Sequence, residues 1–243
     1  MTTISANLQR QRDRLRQACD SAGRPPDAVQ LLAVSKTFGP QAVCEAVDAG
    51  QRAFGENYVQ EGVEKILALR QLRPHMALEW HCIGPVQTNK TRWVAEHFDW
   101  VQSIDRLKIA ERLSAQRPDH LPPLQVCVQV NVDGGANKSG VSPQEAADLV
   151  AAVVALPRLR LRGVMCIPEP AADAALSAAP FHAARSVWDQ LKAQGHALDT
   201  LSMGMSDDLE AAVAAGSTLV RVGRAVFGQR ATRPHGGGAA LHA

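Results

Sequence analysis

The chain has 243 residues, 46% hydrophobic and 21% charged, with a formal net charge of +2. This is the composition of a globular protein with ample core material, and no apolar run approaches the length of a membrane span. So balanced a charge gives no basis for binding nucleic acid or an anionic membrane.

The amino terminus, Met1-Thr2-Thr3-Ile4-Ser5, lacks the charged and apolar regions of a signal peptide. Five cysteines, Cys19, Cys44, Cys82, Cys127 and Cys166, show no disulfide or metal-ligand spacing. Reduced, buried thiols and a cytoplasmic location are the expectation.

Ile4, Leu8, Leu15 and Ala18 recur at helical spacing, so residues 3–22 form a helix that Gly23-Arg24-Pro25-Pro26 stops. Arg10, Arg12, Arg14 and Arg16 read as its solvated face. Next comes Leu31-Leu32-Ala33-Val34-Ser35-Lys36, a short apolar run closed by Phe38-Gly39-Pro40. Such a run is a strand buried on both faces. Its terminal lysine sits where burial disfavours the ammonium, and a neutral lysine is a nucleophile toward carbonyls. Taken alone, the run better fits a lysine reaching for solvent from a strand end.

Further strands are expected near residues 52–57, 79–84, 100–105, 124–132, 159–167, 201–204 and 218–222, each pair separated by a helical pattern. Ser142-Pro143-Gln144-Glu145 has the form of a capping box. Asp207-Asp208 place carboxylates at a helix start. Eight strands alternating with helices, at about thirty residues per unit, predict a parallel sheet closed into a (β/α)8 TIM barrel, α/β in class, with an extra amino-terminal helix. An open doubly wound sheet is the alternative, but no Gly-x-Gly-x-x-Gly turn follows the first strand. Residues 1–230 are expected to form this one barrel, and the Gly- and Ala-rich residues 231–243 a flexible tail.

In such a barrel the chemistry gathers at the carboxyl ends of the strands. There the sequence offers Lys36, Asn57, His81 to Gly84, Ser103, Asn131, Met165, Ser202 to Ser206 and Arg221 to Gly223. Of the residues at this mouth, Lys36, Asn57, His81, Met203, Ser206, Arg221, Gly223 and Arg224 are the expected cofactor-binding set. The loops after strands seven and eight often cradle a phosphate. Here they read Gly204-Met205-Ser206 and Gly223-Arg224-Ala225-Val226-Phe227-Gly228. A lysine facing a phosphate cradle suggests pyridoxal 5′-phosphate (PLP), an aldehyde that carries a phosphate.

The motifs Ala33-Val34-Ser35-Lys36, Phe54-Gly55-Glu56-Asn57-Tyr58-Val59-Gln60-Glu61, the run from Trp80 to Lys90, and Asn137-Lys138-Ser139-Gly140 carry a resemblance. So do Leu201-Ser202-Met203-Gly204-Met205-Ser206-Asp207-Asp208 and the run from Arg221 to Gly228. Together they make the chain resemble the pyridoxal phosphate homeostasis proteins from about residue 4 to 230. The resemblance implies a barrel like the amino-terminal domain of alanine racemase, with PLP as a Schiff base on Lys36. It also implies phosphate contacts from Ser206, Gly223 and Arg224, and Arg221 beside the pyridine nitrogen. Cys82 stands where the family usually has phenylalanine, and Arg224 where serine or threonine is common. The second departure puts one side-chain hydroxyl contact to phosphate in doubt and leaves the backbone amide.

Three readings of function follow: a PLP carrier in PLP homeostasis without efficient turnover, a racemase-like PLP enzyme, or a barrel enzyme acting on a phosphorylated metabolite. Racemisation needs a base on each face of the cofactor, and in alanine racemases the second is a tyrosine from a separate domain. The only tyrosine here is Tyr58, just after the second strand. An arginine on the pyridine nitrogen also keeps that nitrogen unprotonated and weakens the electron sink. Both points favour the carrier. His81 is the residue that could serve as the missing base. The expected partners are PLP and PLP-dependent apoenzymes, with neither nucleic acid nor membrane, and the chain is expected to be a monomer.

Overall fold

In the computed structural model, residues 3–135, 139–169 and 174–229 are described. The chain opens with α1 (Ile4–Ser21), capped by Thr3, whose hydroxyl accepts from the Ala6 amide at 3.2 Å. Then follow β1 (Gln30–Val34), α2 (Pro40–Asp48), β2 (Ala53–Glu56), α3 (Val59–Leu72), β3 (Glu79–Cys82), α4 (Thr91–His97), β4 (Trp100–Ile104) and α5 (Leu107–Gln116). The second half runs β5 (Leu124–Gln129), α6 (Ala146–Val154), β6 (Leu159–Met165), α7 (Ala174–Ala193), β7 (Thr200–Ser202), α8 (Leu209–Ala214), β8 (Leu219–Val222) and α9 (Arg224–Phe227).

The strands pair in parallel, in sequence order, and β8 closes back on β1. Leu32 stands opposite Arg221 across that closure, and Val34 opposite Gly55 of β2. The expected (β/α)8 barrel with an added amino-terminal helix is the observed fold. Strand residues alternate between two environments. On β1, Leu31 and Ala33 join the large core between sheet and helices. Leu32 and Val34 instead meet Ala53, Ile83 and Leu219 in a separate cluster that fills the barrel. Trp100, Cys127 and Met165 form a third buried group.

Proline at the first turn starts α2, where the missing N–H costs no hydrogen bond. The capping box forms as read: Ser142 Oγ donates to Glu145 Oε2 at 2.7 Å and accepts from the Glu145 amide at 3.3 Å. Several strands end earlier than expected: the 79–84 strand at Cys82, the 124–132 strand at Gln129 and the 159–167 strand at Met165, while the 201–204 strand becomes Thr200–Ser202. The arginines of α1 are also not uniformly solvated. Arg12 donates to the Ala49 carbonyl at 3.0 Å, and Arg14 to the Ser206 carbonyl at 2.7 Å while pairing with Glu210. Burial of Leu8 and Leu15, each worth about 2 kcal/mol, presses α1 against the barrel and brings these arginines to backbone acceptors. The predicted tail 231–243, with Asn137 and Lys138, lies outside the described residues.

Candidate cofactor site at the carboxyl mouth of the barrel

Two residues beyond β1, the alternation that sends Leu32 and Val34 inward brings Lys36 to the mouth. It is half-buried there. Lys36 and Thr37 are the middle of a turn closed by the Phe38 amide on the Ser35 carbonyl at 3.0 Å. Thr37 has φ +69°, a left-handed conformation that a β-branched residue adopts only under constraint. The constraint is visible. Glu61 Oε1 accepts from the Thr37 amide at 2.5 Å, and Lys65 ties Glu61, Glu56 and the Ser35 carbonyl together.

Asn57 follows β2 as Lys36 follows β1, so the Val34–Gly55 register places the two side by side. Asn57 Oδ1 is buried and has no hydrogen-bond partner among the described residues. A buried carbonyl oxygen left so is costly and suits a donor from a bound molecule. Gly84, at the end of the third unit, lies against this residue: a Cβ there would stand 2.2 Å from the Asn57 carbonyl oxygen.

Arg221, on β8, is 4% exposed and points into the barrel. Nη1 donates to Ser202 Oγ at 2.7 Å and Nη2 to the Cys166 carbonyl at 2.8 Å. Both acceptors are neutral, and no carboxylate pairs with it among the described residues. Burial draws its pKa down from the free-arginine value, yet a guanidinium still keeps its proton. A buried cation with donors to spare fits a negatively polarised acceptor such as a ring nitrogen.

The loops after β7 and β8 lie on the same rim. Gly204 has φ +94°, and a Cβ there would sit 2.4 Å from that of Ala212, so only glycine makes this turn. Ser206 is half-buried, its carbonyl held by Arg14. Gly223 leads α9, and the amides of Gly223, Arg224 and Ala225 precede the first intrahelical bonds, which come from Val226 and Phe227. The Arg224 side chain is 75% exposed and leans 3.5 Å from Asp207, so what it offers the mouth is its backbone.

Two predicted site residues lie elsewhere. Met203 is fully buried in the large core, because Ser202 occupies the inward position and its neighbour must face the helices. His81 is fully buried inside the barrel, stacked on Trp100 with ring centroids 4.9 Å apart. Its Nε2 meets Glu79 at 2.8 Å and its Nδ1 meets Gln102 at 2.9 Å. Neither nitrogen is left for a ligand. The reason is register: His81 pairs with Gly55, two residues below Asn57, so it stands in a middle layer and not at the rim.

The thiols supply no competing chemistry. Burial pushes Cys82, Cys127 and Cys166 up to about 12. No cluster of metal-ligating side chains occurs among the described residues, and none of their helices is long and apolar enough to cross a membrane. Glu56, Glu61, Lys65 and Gln102 have no role assigned from the sequence, and Ser202 only a place at a strand end. The signal available was a polar side chain inside an otherwise apolar strand, as in Trp100-Val101-Gln102.

Residues 6–231 match the family described as alanine racemase, N-terminal domain. A pyridoxal phosphate homeostasis protein of Vibrio cholerae is 53% identical over 230 residues, which is 95% of this chain and 98% of that one. One from Pseudomonas aeruginosa is 55% identical over 230 residues, again 95% of this chain and 97% of that one. Among solved structures, PipY of Synechococcus elongatus with PLP bound superposes with a TM-score of 0.80 at 37% identity, covering 93% of this chain and 100% of PipY. An alanine racemase from Clostridium difficile shares the fold, with a TM-score of 0.70 at 14% identity over 88% of this chain and 59% of that one. With this barrel, this mouth and these relatives, the chain belongs to the pyridoxal phosphate homeostasis protein family.

Proposed function

We propose that the carboxyl mouth of this barrel holds PLP on Lys36 and that the protein serves PLP homeostasis without efficient amino-acid turnover. The observation that carries this is the pairing of a strand-end lysine with a buried, carboxylate-free arginine and two glycine loops on one rim. PLP presents an aldehyde, a ring nitrogen and a phosphate, and the mouth offers one kind of group for each. When bound, it supplies an electrophilic carbonyl carbon and a ring able to accept electron density.

Lys36 would hold the cofactor through its amine, at the aldehyde. Ser206 and the amides of Gly223 and Arg224 hold the phosphate, and Asn57 Oδ1 accepts from a donor on the bound molecule. Arg221 would donate to the ring nitrogen and so keep it from carrying a proton. That withholds the positive charge which would stabilise a carbanion, and storage of the cofactor is favoured over chemistry on amino acids. The protein acts as a monomer in the cytoplasm, because one chain builds the whole mouth, and it yields PLP to PLP-dependent apoenzymes. The barrel of residues 1–230 is the acting unit.

The test is borohydride reduction of the PLP-loaded protein followed by peptide mass mapping. The expected adduct is on Lys36, with loss of the visible band on Lys36→Ala. An adduct on Lys90 or another lysine would overturn the assignment.

A further inference from the structure

From Arg221 a single line of hydrogen bonds runs down through the barrel. Arg221 Nη1 donates to Ser202 Oγ at 2.7 Å, and Ser202 Oγ donates to Gln102 Oε1 at 2.6 Å. Gln102 Nε2 meets His81 Nδ1 at 2.9 Å, and His81 Nε2 meets Glu79 Oε1 at 2.8 Å. Gln102, Ser202 and His81 are all fully buried, so water cannot substitute for any link. Glu79 is the far terminus, 40% exposed at the opposite end of the barrel.

The line has one direction, and Arg221 sets it. A guanidinium can only donate, so Ser202 Oγ must accept from it and spend its own proton on Gln102. The Gln102 amide is thereby fixed, with oxygen toward Ser202 and nitrogen toward His81. His81 must accept at Nδ1 and carry its proton on Nε2, where Glu79 receives it. Each group has one orientation, and none is free to turn without breaking two bonds. Among the described residues the Arg221 side chain donates to Ser202 Oγ and the Cys166 carbonyl, and of these Ser202 is the one held by a further side chain, Gln102.

We propose that Gln102 and Ser202 are positioning residues for the contact between Arg221 and the ring nitrogen of the bound cofactor. This rests on the reading of the mouth as a PLP site. Gln102 holds the Ser202 hydroxyl rotated away from Arg221, so that its lone pairs face the guanidinium. That fixes the height and tilt of the guanidinium, and the remaining N–H groups aim at the mouth. Without Gln102, Ser202 can rotate and its hydroxyl hydrogen competes with Arg221 for the same space.

The experiment compares two ligands on three proteins: PLP and 1-deazapyridoxal 5′-phosphate, in which C–H replaces the ring nitrogen. Wild-type protein, Gln102→Met and Ser202→Ala are titrated with each, and apo-protein melting verifies that each variant folds. The carbon analogue keeps the aldehyde and phosphate, so its affinity reports everything except the ring-nitrogen contact. Wild-type protein is expected to prefer PLP by about tenfold or more, the scale of a hydrogen bond to a charged group. Either variant should erase most of that preference while binding the analogue as wild type does. A role in general packing would weaken both ligands equally, and that outcome, or a preference that survives in both variants, overturns the proposal. Should Gln102→Met fail to fold, Ser202→Ala decides alone. Wild-type protein with no preference, or with its borohydride adduct off Lys36, would instead refute the reading of the mouth and take the proposal with it.

Discussion

Lys65 Nζ lies 2.7 Å from Glu56 Oε1 and 2.7 Å from the Ser35 carbonyl oxygen, with Lys65 2% exposed and Glu56 fully buried. The pair stands between β2 and α3, directly beneath the turn that carries Lys36. Burial pushes the Glu56 carboxyl above its ordinary range, while the Lys65 ammonium and the Ser35 hydroxyl pull it back. Lys65→Met would strand the buried carboxylate and leave the Ser35 carbonyl with the Phe38 amide alone. The expected loss is about 3–5 kcal/mol in a urea titration. Adding Glu56→Gln to that variant should recover part of it, since the uncompensated charge is then gone. A single variant as stable as wild type would show that the pair contributes nothing.

Ser206→Ala removes one hydroxyl from the phosphate loop and leaves the amides of Gly223 and Arg224. PLP affinity should fall by about 1.5–3 kcal/mol, with the visible band of the loaded protein unchanged. An unaltered dissociation constant would place the phosphate elsewhere.

The same loop is braced from outside by Arg14, which holds the Ser206 carbonyl and pairs with Glu210 at 2.6 Å. The Arg14 guanidinium keeps the Glu210 carboxyl below its ordinary range, against the opposing effect of burial. A carboxyl whose pKa is lower folded than unfolded adds stability that is complete above the unfolded value. That stability is lost as pH falls from about 4.3 through the folded value. Wild-type protein should therefore lose stability across that acid window more steeply than Glu210→Gln. Parallel acid limbs would remove Glu210 from the account.

Gly84→Ala sets a Cβ 2.2 Å from the Asn57 carbonyl oxygen and 2.8 Å from its Cα, so backbone must move. Overpacking of this kind costs about 1–3 kcal/mol. Because the displaced residue is Asn57, PLP binding should weaken as well. A structure of the variant with Asn57 unmoved and affinity intact would contradict the placement of Asn57 in the site.

Exchange of the α-proton of amino acids for deuterium, measured over a panel with PLP-loaded protein, should stay near the Lys36→Ala blank. His81 cannot be the second base while Gln102 and Glu79 occupy both its nitrogens. Rapid exchange that vanishes on His81→Ala would make this an enzyme.

Much of this architecture is readable from the chain because strand and helix periods alternate so regularly. The residue closing each apolar run is then brought to the rim almost automatically, as Lys36 and Asn57 are. What is not readable is depth. His81 looks from sequence like another strand-end residue, and only its register opposite Gly55 puts it a layer down. Met203 stands one position of alternation from Ser202, and that single step puts it among the core residues between sheet and helices. Thr37 at φ +69° carries no local mark at all, since the amide contact to Glu61 that holds it spans 24 residues. The Arg14 brace spans 192 residues, and no local pattern separates it from its solvated neighbours.

The closure of β8 on β1 has a consequence for the order of events during synthesis. Gln30 pairs with Leu219, and Asn7 Nδ2 reaches the Val226 carbonyl at 3.0 Å, so the earliest residues made wait for nearly the last. A ribosome-bound chain that has emerged only through α7 has Lys36 but neither Arg221 nor the Gly223 loop beside it. The mouth is therefore assembled only once β8 has closed on β1, and no shorter stretch of the chain holds Lys36, Arg221 and the Gly223 loop together.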